Sequence, residues 1–211
     1  MSAEQPETTI ILVRHGETEW NAGDRFQGQQ DSPLSALGRS QAQRAAGRLA
    51  GLPVAAVYSS DLGRARAVAD AIAARHGLAV RARADLRERD YGVLEGKTLA
   101  AAAQTEGEWL VAWRKDPQRC APPGGETQPE MRARVMRALG EIAAAHPGEI
   151  VVVVTHGGPI KSAVLDVLGA PLERWRRTFV ANGSLTVLRG RPELLRLVSF
   201  NDTCHLEGEA E

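Results

Sequence analysis

The chain of 211 residues carries 26 Lys+Arg against 26 Asp+Glu, so its formal net charge is zero. Without a basic excess a nucleic-acid partner is not expected, because affinity for phosphate backbones comes from clustered cations. The 43% hydrophobic and 25% charged fractions belong to an ordinary globule and argue against disorder as a global state.

The cations are 23 Arg and only 3 Lys, beside 33 Ala, so an arginine counts as evidence only where its place is defined. Cys120 and Cys204 stand far apart in no CxxC pair, suggesting neither a disulfide framework nor a thiolate metal site. Met1 to Thr9 has no Lys, no Arg and no apolar core, which is not the pattern of a signal peptide. The longest apolar runs fall far short of the ~20 residues that span a bilayer. No membrane association and a reducing cytoplasm are therefore expected.

In chain order, Thr8 to Val13 reads as a strand, since continuous β-branched residues suit a sheet covered on both faces. A loop rich in Gly, Asp and Gln follows from Ala22 to Pro33. Ser35 can cap a helix running to about Ala50, stopped by Gly51 and Pro53. Val54 to Tyr58 is the second predicted strand. Ser60 or Asp61 could cap a helix from Leu62 to Arg75, which Gly77 ends. Leu78 to Arg83 reads as a third strand and Asp85 to Gly96 as an irregular loop. Thr98 opens an alanine-rich helix, and a short helix over Glu108 to Lys115 precedes a loop from Pro117 to Gly125. A long helix is expected from about Thr127 to Ala145, before Pro147 and Gly148. Ile150 to Thr155 is a strand and Pro159 to Leu168 a helix. Phe179 to Leu188 and Leu194 to Ser199 close the chain as a strand pair, and the acidic tail from Glu207 to Glu211 is expected to fray.

This alternation predicts a three-layer α/β/α sandwich, with a mostly parallel central sheet and helices on both faces. With no repeat, linker or composition break, residues 1–211 are read as one domain. In such sheets ligands bind beyond the carboxyl ends of the strands. Arg14, His15, Gly16 and Glu17 follow the first strand. Ser59, Ser60, Asp61 and then Arg64 follow the second, while Thr155, His156, Gly157 and Gly158 end the run from Ile150. There is no HExxH and no EF-hand loop, so no metal site is indicated. Two imidazoles flanked by arginines suit an anion instead, since guanidinium binds phosphate bidentately.

The same residues carry a resemblance. Leu12-Val13-Arg14-His15-Gly16-Glu17-Thr18-Glu19-Trp20-Asn21 closely resembles the RHG signature of the histidine phosphatase superfamily, the phosphoglycerate-mutase-like enzymes. Phe26-Gln27-Gly28 with Asp31-Ser32-Pro33-Leu34-Ser35 is similar to a second block of that family, and Tyr58-Ser59-Ser60-Asp61-Leu62-Gly63-Arg64-Ala65 to a third. Leu86-Arg87-Glu88, Tyr91-Gly92 and Glu95-Gly96 resemble a fourth. Thr155-His156-Gly157-Gly158 resembles the second histidine motif, and Asn201-Asp202 with His205-Leu206 the C-terminal one. The likeness spans about residues 10 to 206. One departure is that Ala67 and Val68 follow Arg64-Ala65, where the family often has Gln-Thr.

The resemblance implies that His15 is a nucleophile forming a phosphohistidine, and that Arg14, Arg64 and His156 clamp the phosphoryl oxygens. It implies that Glu88 protonates the leaving oxygen and then activates water. Asn21, Gln27, Gly28, Tyr91, Gly157 and Gly158 would line the phosphate and substrate pocket. No metal and no cofactor are implied, and the partner is a small phosphorylated metabolite. The short interval between Glu88 and His156 resembles the phosphatase branch. A cofactor-dependent phosphoglycerate mutase and an inactive phospholigand-binding module are the alternatives, and the oligomeric state, a homodimer included, is left open.

Other readings compete at single residues. Arg87-Glu88-Arg89-Asp90 could be an exposed charge run, and Arg66 a surface charge. His76 and His146 read as helix-end residues, Asn182-Gly183-Ser184 as a turn, and His205 stays undecided.

Overall fold

The computed structural model describes residues 6–116 and 120–208. Its elements are β1 (Thr8–Arg14), α1 (Glu19–Ala22), α2 (Ala36–Leu49), β2 (Val54–Ser59), α3 (Gly63–His76), β3 (Val80–Ala82), α4 (Leu99–Thr105), α5 (Gly107–Lys115) and α6 (Gln128–Ala145). Then come β4 (Ile150–Thr155), α7 (Gly157–Val167), β5 (Leu185–Arg191) and β6 (Leu194–Asp202). The strands form one sheet in the order β3-β2-β4-β1-β5-β6. β3, β2, β4 and β1 pair in parallel, whereas β5 runs antiparallel to both β1 and β6.

The continuous apolar runs are explained by burial on both faces. Ile10 and Leu12 of β1, with Val151 and Val153 of β4, pack into a core with Met131, Leu139 and Ile142 of α6 and Ile160 of α7. The alternate residues Ile11, Val13, Val152 and Val154 face the other way, onto Ala45, Ala46 and Leu49 of α2 and Val68, Ala69 and Ile72 of α3. Side chains alternate along a strand, so each run feeds two cores and the sheet is the middle of three layers. No helix among the described residues is long and apolar enough to cross a membrane.

Several elements form where local chemistry places them. Ser35 accepts from the Gly38 amide, Thr98 from that of Ala101, and Thr127 makes a reciprocal capping box with Glu130. Gly77 ends α3 in the left-handed conformation. Several boundaries differ from expectation. A short helix, α1, stands at Glu19–Ala22, held by Thr18 and Asn21 side chains. α3 is capped by neither Ser60 nor Asp61. The Asp31 carboxylate accepts from the amides of Gly63 and Arg64, and the Ser60 hydroxyl from that of Leu62.

The strand expected from Phe179 begins only at Leu185. The backbone before it is committed elsewhere: the Val180 carbonyl accepts from Arg14, and the Ala181 amide donates to Asn201 Oδ1. Gly183 then turns the chain at φ 72°, in agreement with the turn reading of Asn182-Gly183-Ser184. Residues 117–119 of the expected 117–125 loop, and 209–211 of the expected frayed tail, lie outside the described residues.

Candidate active site

Parallel pairing of β1 with β4 sets Arg14 opposite Thr155. The next residue on each strand is a histidine, so one register brings the two imidazoles to the same edge. The His15 amide donates to the Thr155 carbonyl at 3.0 Å, and the rings meet edge-on with centroids 5.1 Å apart.

His15 is buried, and its Nδ1 lies 2.7 Å from the Gly16 carbonyl oxygen. A carbonyl can only accept, so Nδ1 carries the proton and Nε2 keeps its lone pair. Burial, then the Arg64 and Arg14 guanidiniums, hold its pKa well below the ordinary 6.5. The ring is therefore a neutral imidazole with a defined tautomer. His156 is fully buried, and among the described residues neither of its ring nitrogens has a hydrogen-bond partner. Burial, Arg64, His15 and Arg14, in that order, also lower its pKa well below the usual value.

The arginines are fixed by backbone oxygens. Arg64 is 2% exposed, its Nη1 donating to Gln30 O at 2.6 Å and to Asp31 Oδ1 at 3.1 Å, and its Nη2 to Gly28 O at 2.7 Å. Arg14 Nη1 donates to Val180 O at 2.5 Å. Each is an immobilised cation beside the neutral ring of His15, which is what a small dianion requires.

Glu88 does not sit in an exposed run. Its Oε2 accepts from the Gly158 amide at 3.0 Å and its Oε1 from the Arg89 amide at 2.8 Å. Arg134 of α6 grips the carbonyls of Asp85, Arg87 and Glu88, fixing the loop that presents the carboxylate. A Cβ at position 158 would collide with Glu88, so glycine there lets the carboxylate approach α7. Arg66, by contrast, forms an exposed pair with Asp70.

Two adjoining cavities share Arg14, Glu88 and Tyr91. The inner one, of about 180 Å3, is lined also by His15, Asn21, Gln27, Gly28 and Arg64. The outer one, of about 220 Å3, is lined by Gly157, Gly158, Lys161, Trp175, Phe179 and Val180. The expected site residues thus divide between two compartments, with His156 lining neither and meeting the site through the ring of His15. A larger cavity of about 480 Å3 lies on the far side of Arg64 and holds neither histidine.

The Asn21 carbonyl oxygen is occupied by Thr18 and by Asn182 Nδ2, which leaves its amide N–H groups for a ligand. Burial first, and Glu88 second, push the Tyr91 phenol well above its ordinary value, so it remains a neutral donor. Gly28 adopts φ 56° against Glu95, whose carboxylate gathers the amides of Gln29, Gln30 and Tyr91. Among the described residues no group of three or more His, Cys, Asp or Glu is arranged to hold a metal ion.

Sequence reasoning missed several residues at the site. Asp31 ties α3 to the loop before it, and Asn182 donates to the carbonyl of His15 at 3.2 Å. Lys161, Trp175 and Phe179 line the outer cavity, while Arg25 and Phe26, which belong to the Ala22 to Pro33 loop read from the sequence, line the inner one. Lys161 alone had a usable signal, the spacing of four from Gly157 along one helix face. His205, undecided from sequence, places Nε2 3.0 Å from the Gly183 carbonyl and thereby braces the Asn182 turn. His146 ends α6 as expected, but its ring is engaged between Glu149 and the Tyr58 hydroxyl.

Comparison with known proteins gives concordant findings. The profile of the histidine phosphatase superfamily (branch 1) matches residues 10–203. A protein of Salmonella choleraesuis named probable phosphoglycerate mutase GpmB is 37% identical over 177 residues, which cover 84% of this chain and 82% of that one. Among solved structures, YhfR of Bacillus stearothermophilus superimposes with a TM-score of 0.89 at 33% identity, over 95% of this chain and all of that one. A mycobacterial glucosyl-3-phosphoglycerate phosphatase in complex with VO3 gives 0.82 at 35% identity, over 92% of this chain and 99% of that one. A putative alpha-ribazole-5'-P phosphatase from Escherichia coli gives 0.85 at 28% identity, over 92% and 96%.

Proposed function

The chain belongs to the histidine phosphatase superfamily, branch 1, and from that premise we propose that it is a metal-independent phosphomonoesterase working through a phosphohistidine at His15. One observation carries the reading. The His15 ring is neutral, its proton is fixed on Nδ1 by the Gly16 carbonyl, and its free Nε2 belongs to a ring flanked by two immobilised guanidiniums. An imidazole in that state is a nucleophile without any metal, and the cations offset the charge of an incoming phosphate.

In the first step Nε2 attacks phosphorus in line. The N–P bond forms as the ester P–O bond breaks, and the departing oxygen takes a proton from Glu88. In the second step Glu88 removes a proton from water, whose oxygen attacks phosphorus. The N–P bond breaks, and inorganic phosphate and neutral His15 are regenerated. Arg14 and Arg64 stabilise the equatorial oxygens, each charged donor contributing about 3 kcal/mol by analogy with oxyanion-hole donors, while the neutral ring of His156 backs that of His15. Asn21, Gln27, Gly28 and Tyr91 orient the phosphate, while Gly157 and Gly158 border the leaving-group side.

The two small compartments favour a small phosphorylated metabolite over an extended anion. Both cysteines are free thiols, which accords with a cytoplasmic setting. Wild-type protein should release phosphate from an aryl phosphate with or without a chelator, and His15→Ala should lose at least a thousandfold in kcat. Undiminished release by that variant would remove the mechanism.

A second reading is favoured by the Salmonella relative, whose name is probable phosphoglycerate mutase. On that reading the phosphohistidine resists water and returns its phosphoryl group to the sugar acid. Interconversion of 3- and 2-phosphoglycerate with a bisphosphoglycerate primer, faster than phosphate release, would select it.

A further inference from the structure

Lys161 stands one helical turn beyond Gly157 on α7, on the face that meets the site, since residues four apart share a face. It lines the outer compartment with Arg14, Glu88, Trp175 and Phe179. Its ammonium lies 5.6 Å from the centre of the Trp175 ring, and it has no ion-pair partner among the described residues. Burial, and next the Arg14 guanidinium, lower its pKa, against a smaller opposing effect of Glu88.

Two cations therefore face one small cavity. Among the described residues Glu88 is the only carboxylate lining it, and both of its oxygens are already held by the Arg89 and Gly158 amides. A half-buried ammonium beside a guanidinium is costly unless an anion arrives to offset it. Lys161 lines the outer compartment and not the inner one, where His15 and Arg64 draw the phosphoryl group. The walls on the same side are aromatic, Trp175 partly buried and Phe179 exposed at the mouth.

We propose that Lys161 is a specificity-determining residue that binds a second anionic group, a carboxylate or a phosphate, on the leaving-group part of the substrate, whose carbon skeleton lies against Trp175 and Phe179. The inference rests on the phosphomonoesterase reading above and names its substrate class. The leaving alcohol carries its own negative charge a few bonds from the ester oxygen.

The test compares three substrates, phenyl phosphate, meta-carboxyphenyl phosphate and meta-phosphonophenyl phosphate, with wild-type protein, Lys161→Met and Lys161→Arg. In the wild type, kcat/KM should favour at least one charged substrate over phenyl phosphate, and which one identifies the second anion. Lys161→Met should reduce that preference about tenfold, through KM rather than kcat, while Lys161→Arg keeps most of it. A wild type with no preference, or an equal loss on all three substrates in Lys161→Met, overturns the assignment while leaving the phosphatase intact. Wild-type protein that releases phosphate from none of the three overturns the parent reading, and this one with it.

Discussion

The two histidines owe their neutrality to their surroundings. Burial contributes most for both, and the two guanidiniums add to it by making a third positive charge unfavourable. In the unfolded chain each imidazole returns to about 6.5 and takes up a proton below that value. The folded state binds fewer protons there, so stability is complete above 6.5 and erodes as pH falls below it toward the folded values. Each histidine can contribute roughly 1 kcal/mol per pH unit to that slope. Urea midpoints are therefore expected to drop between about pH 7 and pH 5, and His156→Phe should flatten the drop. An unchanged slope in His156→Phe would mean that burial of this neutral ring is not its source. The same neutrality leaves the Nε2 lone pair of His15 free at mildly acid pH, as the proposed mechanism requires.

Among the elements, α3 shows how the site is assembled from distant sequence. Its first turn has no side-chain cap from its own N-cap residue, Leu62, and takes one from Asp31, 32 positions before Gly63. The same carboxylate pairs with Arg64, so helix capping and orientation of the cation proposed to bind phosphate are one interaction. Asp31→Ala should destabilise the fold by about 1 kcal/mol, since the carboxylate is partly exposed. It should also raise KM for an aryl phosphate a few-fold, Arg64 retaining the Gln30 and Gly28 carbonyls. A stability loss with unchanged KM would confine Asp31 to capping. Such tertiary caps explain what the sequence left illegible. Ser35, Gly77, Thr98 and Thr127 act within their own turns, so their helix boundaries could be read locally. The start of α3 depends on a loop far away, and that of β5 on Val180 and Ala181 serving other partners. α1 is only four residues long, too short for an apolar period to reveal it. Arg14, His15, Arg64, Glu88 and His156 were legible because four follow strand ends and all lie in motifs. Trp175 and Phe179 were not, since the fold alone gathers α7 and the segment before β5 around one cavity, and Lys161 offered only its spacing from Gly157.

For the whole molecule, zero net charge conceals a concentrated imbalance. Arg14, Arg64 and Lys161 converge beyond the ends of β1, β2 and β4, while most acidic residues sit elsewhere and cancel the total. That distribution suits a small phosphate ester rather than a long anionic surface. The sheet makes the convergence possible, because parallel pairing brings three strand ends to one edge and the two cores hold the register against slippage. In the proposed mechanism the phosphoryl group passes through His15. The most direct measurement quenches the enzyme in base during turnover of an aryl phosphate and maps the phosphorylated peptide by mass spectrometry. A phosphoryl group on His15, formed and lost at rates compatible with turnover and missing in His15→Ala, is the expected result. Turnover at full rate with His15 unmodified would contradict the account.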